Sequence, residues 1–245
     1  MKHLLLITLV TTSFSGLAYA ENGIYASLKS GISNTKMKNN EVHYFYDDGE
    51  YFSYEDYYQH NQSKSIYPHI SAAIGFDFSK ISKVNTRAEL EYTYKDSATF
   101  TPSANYEVWS NNFGSEIYPG AKDHNLFSHD LKSQSLMVNG YYDFKNKSKF
   151  TPYIGVGLGV TRIKNNYVNL LYPDYYLSQN DNHFTWSTGI GVTYNINNNV
   201  ALDLSYKYVD MGKFTFGQNF KEHDAEMTSF KLSSQDYSLG IRYNF

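Results

Sequence analysis

Apolar and polar residues alternate with a period of two through eight stretches of this chain, and no stretch carries a convincing helical repeat. The last stretch is the clearest. Tyr237, Leu239, Ile241, Tyr243 and Phe245 share one face, while Asp236, Ser238, Gly240, Arg242 and Asn244 share the other. Val200, Leu202, Leu204, Tyr206 and Tyr208 repeat the pattern, as do Phe184, Trp186, Thr188, Ile190, Val192, Tyr194 and Ile196. Between Pro152 and Val160, Ile154, Val156 and Leu158 alternate with Gly155, Gly157 and Gly159. Earlier stretches are marked by Leu136, Val138, Tyr142 and Phe144, then by Ala88, Leu90, Tyr92 and Tyr94. Pro68, Ile70, Ala72, Ile74, Phe76 and Phe78 form another, and Ile24, Ala26, Leu28 and Ile32 begin the series.

Each stretch runs about 9–13 residues, the length a tilted strand needs to cross the hydrocarbon core of a bilayer. The connections alternate in length. Short ones lie at Ser79–Val84, Lys145–Lys149 and Ile196–Asn199. Long ones lie at about 36–65, 97–130, 165–183 and 213–232. Four long and three short connections join the eight strands and put both ends on the short-turn side. The pattern predicts an all-β fold: an eight-stranded antiparallel up-and-down transmembrane β-barrel with four long extracellular loops and short periplasmic turns.

A soluble eight-stranded barrel would place the apolar face inside, a membrane barrel outside. The polar face decides between them. It carries Gly155, Gly157, Gly159, Gly189 and Gly191, which would make a poor exposed strand surface but can line a narrow interior. It also carries Arg87, Glu89, Glu91, Lys95, Asp203, Lys207 and Arg242, a candidate charge network in the lumen. Arg242 and Asp203 lie at similar heights above the short-turn side and are a candidate pair. Buried charges are tolerated when paired. The network suits a plug of the lumen, or alternatively a path for ions. Aromatics end the apolar face at Tyr142 and Phe144, Tyr206 and Tyr208, and Tyr243 and Phe245, as interfacial girdles do.

The first twenty residues differ from the rest. Lys2 and His3 precede the apolar run Leu4–Val10, and Ala18-Tyr19-Ala20 supplies a small-residue cleavage pattern before Glu21. The expectation is a cleaved export signal over 1–20 and a single barrel over 21–245, reaching the bacterial outer membrane through a Sec-type route. Mean hydropathy is −0.52, which misleads for a barrel, because half of each strand and all of each loop can be polar. Cysteine is absent, so no disulfide framework holds the chain. Net charge is −3, without the basic face that nucleic-acid binding requires. Tyrosine reaches 25 residues and phenylalanine 16, a composition suited to membrane interfaces and contact surfaces.

Several segments together resemble the opacity-type outer-membrane proteins, surface adhesins best known from Neisseria and related in barrel type to outer-membrane protein A. They are Ser65-Ile66-Tyr67-Pro68-His69, Gly75-Phe76-Asp77-Phe78, and Tyr142-Asp143-Phe144-Lys145 followed by Lys149-Phe150-Thr151-Pro152-Tyr153-Ile154-Gly155. Ala201–Tyr208 and Ser238–Phe245 complete the set. The likeness covers the barrel and leaves the loops unmatched. It implies an eight-stranded barrel with surface-exposed loops; in known members of that family the variable loops bind host receptors or proteoglycans, a property that lives in the loops and not in the barrel. Terminal Tyr243 and Phe245 resemble the signal that such barrels present to their assembly machinery.

The loops therefore carry the candidate contacts. Between Glu41 and Tyr58 lie Glu41, Asp47, Asp48, Glu50, Glu55 and Asp56, with no Lys or Arg. Tyr44, Tyr46, Tyr51, Tyr54, Tyr57 and Tyr58 are interleaved, together with Phe45 and Phe52. Tyrosine offers a large contact area with a polar tip at little entropic cost. The segment suits a host receptor, matrix protein or glycan; it also suits a merely solvated loop. Trp109 in the second loop is a further candidate contact. No Gly-x-Ser-x-Gly motif is present, and neither catalysis, a cofactor nor a metal site is expected. The sequence thus points to an adhesin acting through its loops, with a narrow porin for small solutes or ions as the alternative.

Overall fold

The computed structural model describes residues 23–47, 52–58, 62–101, 105–110, 114–118, 127–169, 176–221 and 224–245. The expected export signal lies outside them. Eight long strands appear: β1 (Ile24–Asp47), β3 (Ser63–Asp77), β4 (Thr86–Phe100), β7 (Phe127–Asp143), β8 (Phe150–Asn169), β9 (Tyr176–Asn195), β10 (Val200–Lys221) and β11 (Asp224–Asn244). Each pairs antiparallel with the next, and β11 returns to pair with β1 from Tyr25↔Asn244 to Tyr46↔Asp224. Closure satisfies the backbone of every strand inside the sheet, which is what a bilayer demands of a β structure.

The short turns are built by their own side chains. Asp77 accepts from Ser79 N (2.9 Å) and Oγ (2.6 Å) at a single 3-10 turn, Phe78–Lys80. Asn146 Oδ1 accepts from Ser148 N (2.7 Å), and Asn197 Oδ1 from Asn199 N and Val200 N (2.9 and 2.7 Å). Asp and Asn side chains that bond the backbone two residues on close tight turns in this way.

The apolar face points outward. Ile74, Val138 and Leu239 are each about 60 % exposed, in a belt that runs around the barrel. Tyr142–Phe144 and Tyr243–Phe245 stack edge-on at its lower rim, with centroids 5.1 Å apart in each pair. At its upper rim Trp186 meets Tyr208 at 5.7 Å, and Tyr206 meets Tyr237 at 5.2 Å.

The regions expected as long loops need correction. The strands do not stop where the apolar belt stops. β1 continues to Asp47, β8 to Asn169 and β10 to Lys221, while β7 begins at Phe127 and β11 at Asp224. Three further strands, β2 (Phe52–Tyr58), β5 (Asn105–Ser110) and β6 (Gly114–Tyr118), add to the upper part of β1 in the order β1-β2-β5-β6. Alternation persists above the belt, but with its faces exchanged. Met37, Phe100, Leu131, Ile163, Met211, Phe214, Phe230 and Leu232 now point inward and form one buried apolar cluster. Outside the belt the surroundings are water instead of lipid, so the outer face turns polar and the inner face apolar.

Bulges mark this crossover. The register slips between Lys38 and Glu41, between Lys95 and Ala98, and between Asp210 and Gly212. Gly212 sits at φ 80, and its N–H donates to Asp210 Oδ1 at 2.9 Å. An extra residue at a barrel rim re-aims the strand in this manner.

Candidate functional site

Two regions could act: the lumen within the belt, and the strand-built rim above it. In the lumen, Arg87, Glu89, Glu91, Lys95, Asp203 and Arg242 are buried, and Lys207 is partly so. Arg87 donates from Nε (2.8 Å) and Nη2 (3.0 Å) to the two oxygens of Asp143, a forked pairing. Its guanidinium lies 4.7 Å over the Tyr141 ring and 5.0 Å over Tyr153. Lys29 bridges Glu89 and Glu91 at 3.4 and 3.5 Å, and Lys207 also bonds Glu91. Lys95 Nζ sits 2.8 Å from Asp236 and 2.7 Å from Ser234 Oγ. Beside this pair, His69 joins Ser33 (3.0 Å) to Ser238 (2.9 Å) across the interior.

One expected pairing is absent. Asp203 accepts from Tyr153 Oη (2.8 Å) and Thr193 Oγ1 (3.3 Å), not from Arg242. Arg242 instead lies 5.3 Å over the Tyr25 ring, and its Nε and Nη1 have no protein partner. Register explains the difference. Arg242 faces Ala201 on β10, and Asp203 faces Gly240, so the two side chains start on different rungs.

Sequence reasoning missed Lys29, Asp143 and Asp236 as members of the network. The alternating polar phase contained the signal for all three. Asp143, for example, lies two residues from Tyr141 on the face that also carries Asn139. The glycines make room for the tyrosines. A Cβ on Gly75 would lie 2.3 Å from the Tyr25 ring, and one on Gly191 would lie 2.4 Å from the Tyr153 ring.

Above the charges the lumen is sealed again by the apolar cluster. Phe230 packs against Phe216 and His129 with centroids at 5.6 and 5.2 Å. His129 is fully buried and shares Nδ1 with Asn165 Oδ1 at 3.3 Å.

At the rim, the first candidate contact segment is strand. Tyr44 and Tyr46 lie on β1 opposite Glu55 and Ser53 of β2, and Asp47 lies opposite Phe52. Tyr54, Tyr57 and Tyr58 lie on β2, with Tyr54 paired to Trp109 and Tyr57 to Tyr106 of β5. Asp48 and Tyr51 lie outside the described residues. The fold thus brings the acidic, tyrosine-rich segment beside the Trp109 strand, a neighbourhood the sequence alone did not indicate.

The chain folds as a closed eight-stranded barrel with a lipid-facing belt and a charged lumen, and residues 4–245 match the model of the outer membrane protein beta-barrel domain. The chain belongs to that family. It is a bacterial outer-membrane protein. Within this β-barrel family it is 29% identical over 258 residues to outer membrane protein PagN of Salmonella typhimurium, covering 100% of both chains. It is 26% identical over 224 residues to opacity protein V28 of Neisseria gonorrhoeae, covering 78% of this chain and 82% of that one. The resemblance to opacity proteins seen in the strand segments is therefore borne out. Among solved structures, Neisserial surface protein A aligns over 91% of this chain and 97% of its own, with 18% identity and a TM-score of 0.48.

Proposed function

We propose that this outer-membrane barrel is a surface adhesin, whose belt anchors it in the outer membrane and whose strand-built rim contacts a host receptor, matrix protein or glycan. The observation that carries this reading is the position of β2, β5 and β6. They extend the sheet only above the belt and set Tyr54 and Tyr57 beside Trp109 and Tyr106. Aromatic residues lose little side-chain entropy on binding and are the residue types that dominate contact energies. The similarity to opacity proteins supports the same reading. Tyr243 and Phe245 of the last strand suit recognition by the barrel-assembly machinery.

The lumen speaks against the porin alternative. Among the described residues, ion pairs, stacked tyrosines and then a buried apolar cluster occupy it in succession. No catalytic step is assigned to the chain.

The test replaces residues 44–57 with a short Gly/Ser turn and compares adhesion of expressing cells to epithelial monolayers and immobilised matrix. Adhesion falls while heat-modifiable gel migration, a measure of barrel folding, persists. Adhesion at the intact level would sink the assignment of this segment. Stable unitary conductance in planar bilayers would restore the porin reading.

A further inference from the structure

The outer face just above the apolar belt carries a pattern that neither the lumen nor the rim explains. Lysines stand directly opposite lysines on neighbouring strands. Lys36 of β1 faces Lys64 of β3, Lys38 of β1 faces Lys231 of β11, and Lys231 also faces Lys213 of β10. On the far wall, Lys132 of β7 faces Lys164 of β8. Their neighbours along the strand, such as Thr35, Met37, Leu131, Ile163 and Leu232, are buried inside, so the lysines point outward.

Like charges placed directly across an antiparallel pair destabilise it. A barrel that places such pairs on two walls above its belt is stabilised by an outside counterion. The protein supplies little. Lys213 lies 3.7 Å from Glu41, and Lys132 lies 3.3 Å from Asp96. Among the described residues, Lys36, Lys38, Lys64, Lys164 and Lys231 make no ion pair. Asp210, on the same face, is engaged by the Gly212 bulge.

Height identifies the counterion. Lys64 is two residues above the lipid-facing Ile66, and Lys36 is four above Ile32. At a strand rise of about 3.3 Å per residue and a tilt of about 40°, these lie ~5 and ~10 Å above the belt, and Lys38 and Lys231, each six residues above Ile32 or Tyr237, lie ~15 Å above it. That span begins in the headgroup layer of the outer leaflet and continues into the polar zone directly above it, where the phosphates and sugars of a glycolipid lie. A ligand reaching this ring from the side is a lipid, and a compact ammonium is a natural partner for phosphate.

We infer that the collar formed by Lys36, Lys38, Lys64 and Lys231, with Lys132 and Lys164 on the opposite wall, binds the phosphates of an anionic glycolipid in the outer leaflet. The opposed lysines are then neutralised in the membrane, and the barrel is locked at a fixed depth by phosphates above and apolar contacts below. A sulfated polysaccharide offers similar charge, but it approaches from the rim and has no reason to select the level next to the belt.

The experiment uses the full chain folded into phosphatidylcholine vesicles, with none, with diphosphorylated lipid A, or with the same lipid enzymatically dephosphorylated. The midpoint of the heat-modifiable gel transition is the readout. Phosphorylated lipid raises the midpoint of the wild type, and dephosphorylated lipid does not. In K36Q/K38Q/K64Q/K231Q the rise disappears, and the apparent affinity for phosphorylated lipid falls about a thousandfold. In phosphatidylcholine alone this variant is at least as stable as wild type, because the opposed charges are gone. The fourfold arginine variant keeps the rise, as does K80Q/K83Q/K147Q/K149Q, which removes equal charge from the periplasmic turns. Equal midpoints for the wild type in the two forms of lipid A overturn the proposal without any variant. So does an undiminished rise in the glutamine variant. Loss of heparin retention by that variant with the lipid response intact assigns the collar to polysaccharide and likewise overturns it.

Discussion

Consider the ion pair between Lys95 and Asp236, which ties β4 to β11 across the lumen. Lys95 Nζ is 2.8 Å from both carboxylate oxygens, and the side chains are 3% and 8% exposed. Replacing Lys95 with Met leaves Asp236 charged, with only the Ser33 hydroxyl and the nearby His69 ring for company. Removing one member of a buried pair costs about 3–5 kcal/mol, because the remaining charge stays out of water. Asp236→Asn removes the complementary charge and costs a similar amount. The double replacement Lys95→Met/Asp236→Leu behaves differently. It exchanges a desolvated pair for apolar contact of similar volume, and such exchanges are neutral or favourable by about 1–4 kcal/mol. A double-mutant cycle on Lys95→Met, Asp236→Leu and their combination therefore yields a coupling energy above about 2 kcal/mol. Equilibrium unfolding in urea, followed by tryptophan fluorescence in vesicles, measures all four proteins. Additive losses, or a single-variant loss below about 1 kcal/mol, would refute the view that this lumen is a paired and dehydrated plug. Additivity would instead describe a wet interior in which water takes the place of the missing partner.

Two further outcomes follow from packing. Gly191→Ala puts a Cβ 2.4 Å from the Tyr153 ring and 2.7 Å from the Leu204 carbonyl oxygen, so it lowers stability by about 1–3 kcal/mol; Gly140→Ala, with open space around its Cβ, leaves urea unfolding unchanged. Phe230→Ala empties the centre of the upper apolar cluster and costs about 3–5 kcal/mol there. Hydrogen exchange then shows lost protection near His129–Leu131 and Phe214–Phe216, while amides within the belt stay protected; uniform loss along β11 would contradict the division of the barrel into two differently packed halves.

How much of this was legible beforehand differs sharply between the two halves. Within the bilayer, lipid outside and a narrow interior impose one strict rule, apolar out and small or polar in. Period two alone therefore located all eight strands and predicted a polar lumen. Ile154, Val156 and Leu158 could face only lipid, and Gly155, Gly157 and Gly159 only the lumen. Above the belt the rule reverses, since water surrounds the sheet. Phe214, Phe216, Phe230 and Leu232 continue the alternation in the opposite sense, and a pattern read for outward apolar residues ends at Tyr208 and Tyr237. The strand extensions consequently looked like loops. Partnership within the lumen was also hidden. Lys95 and Asp236 are 141 residues apart, and which charge meets which depends on shear, the stagger that closing the barrel imposes on neighbouring strands. The same closure set Arg242 over Tyr25 and gave Asp203 to Tyr153. The sequence by itself determined an eight-stranded membrane barrel of opacity type and the chemistry of each face. Only the tertiary structure decided where the apolar belt ends, which charges pair inside the barrel, and that its outer lysines stand opposite one another above the belt, because each of these depends on register between strands distant in the chain.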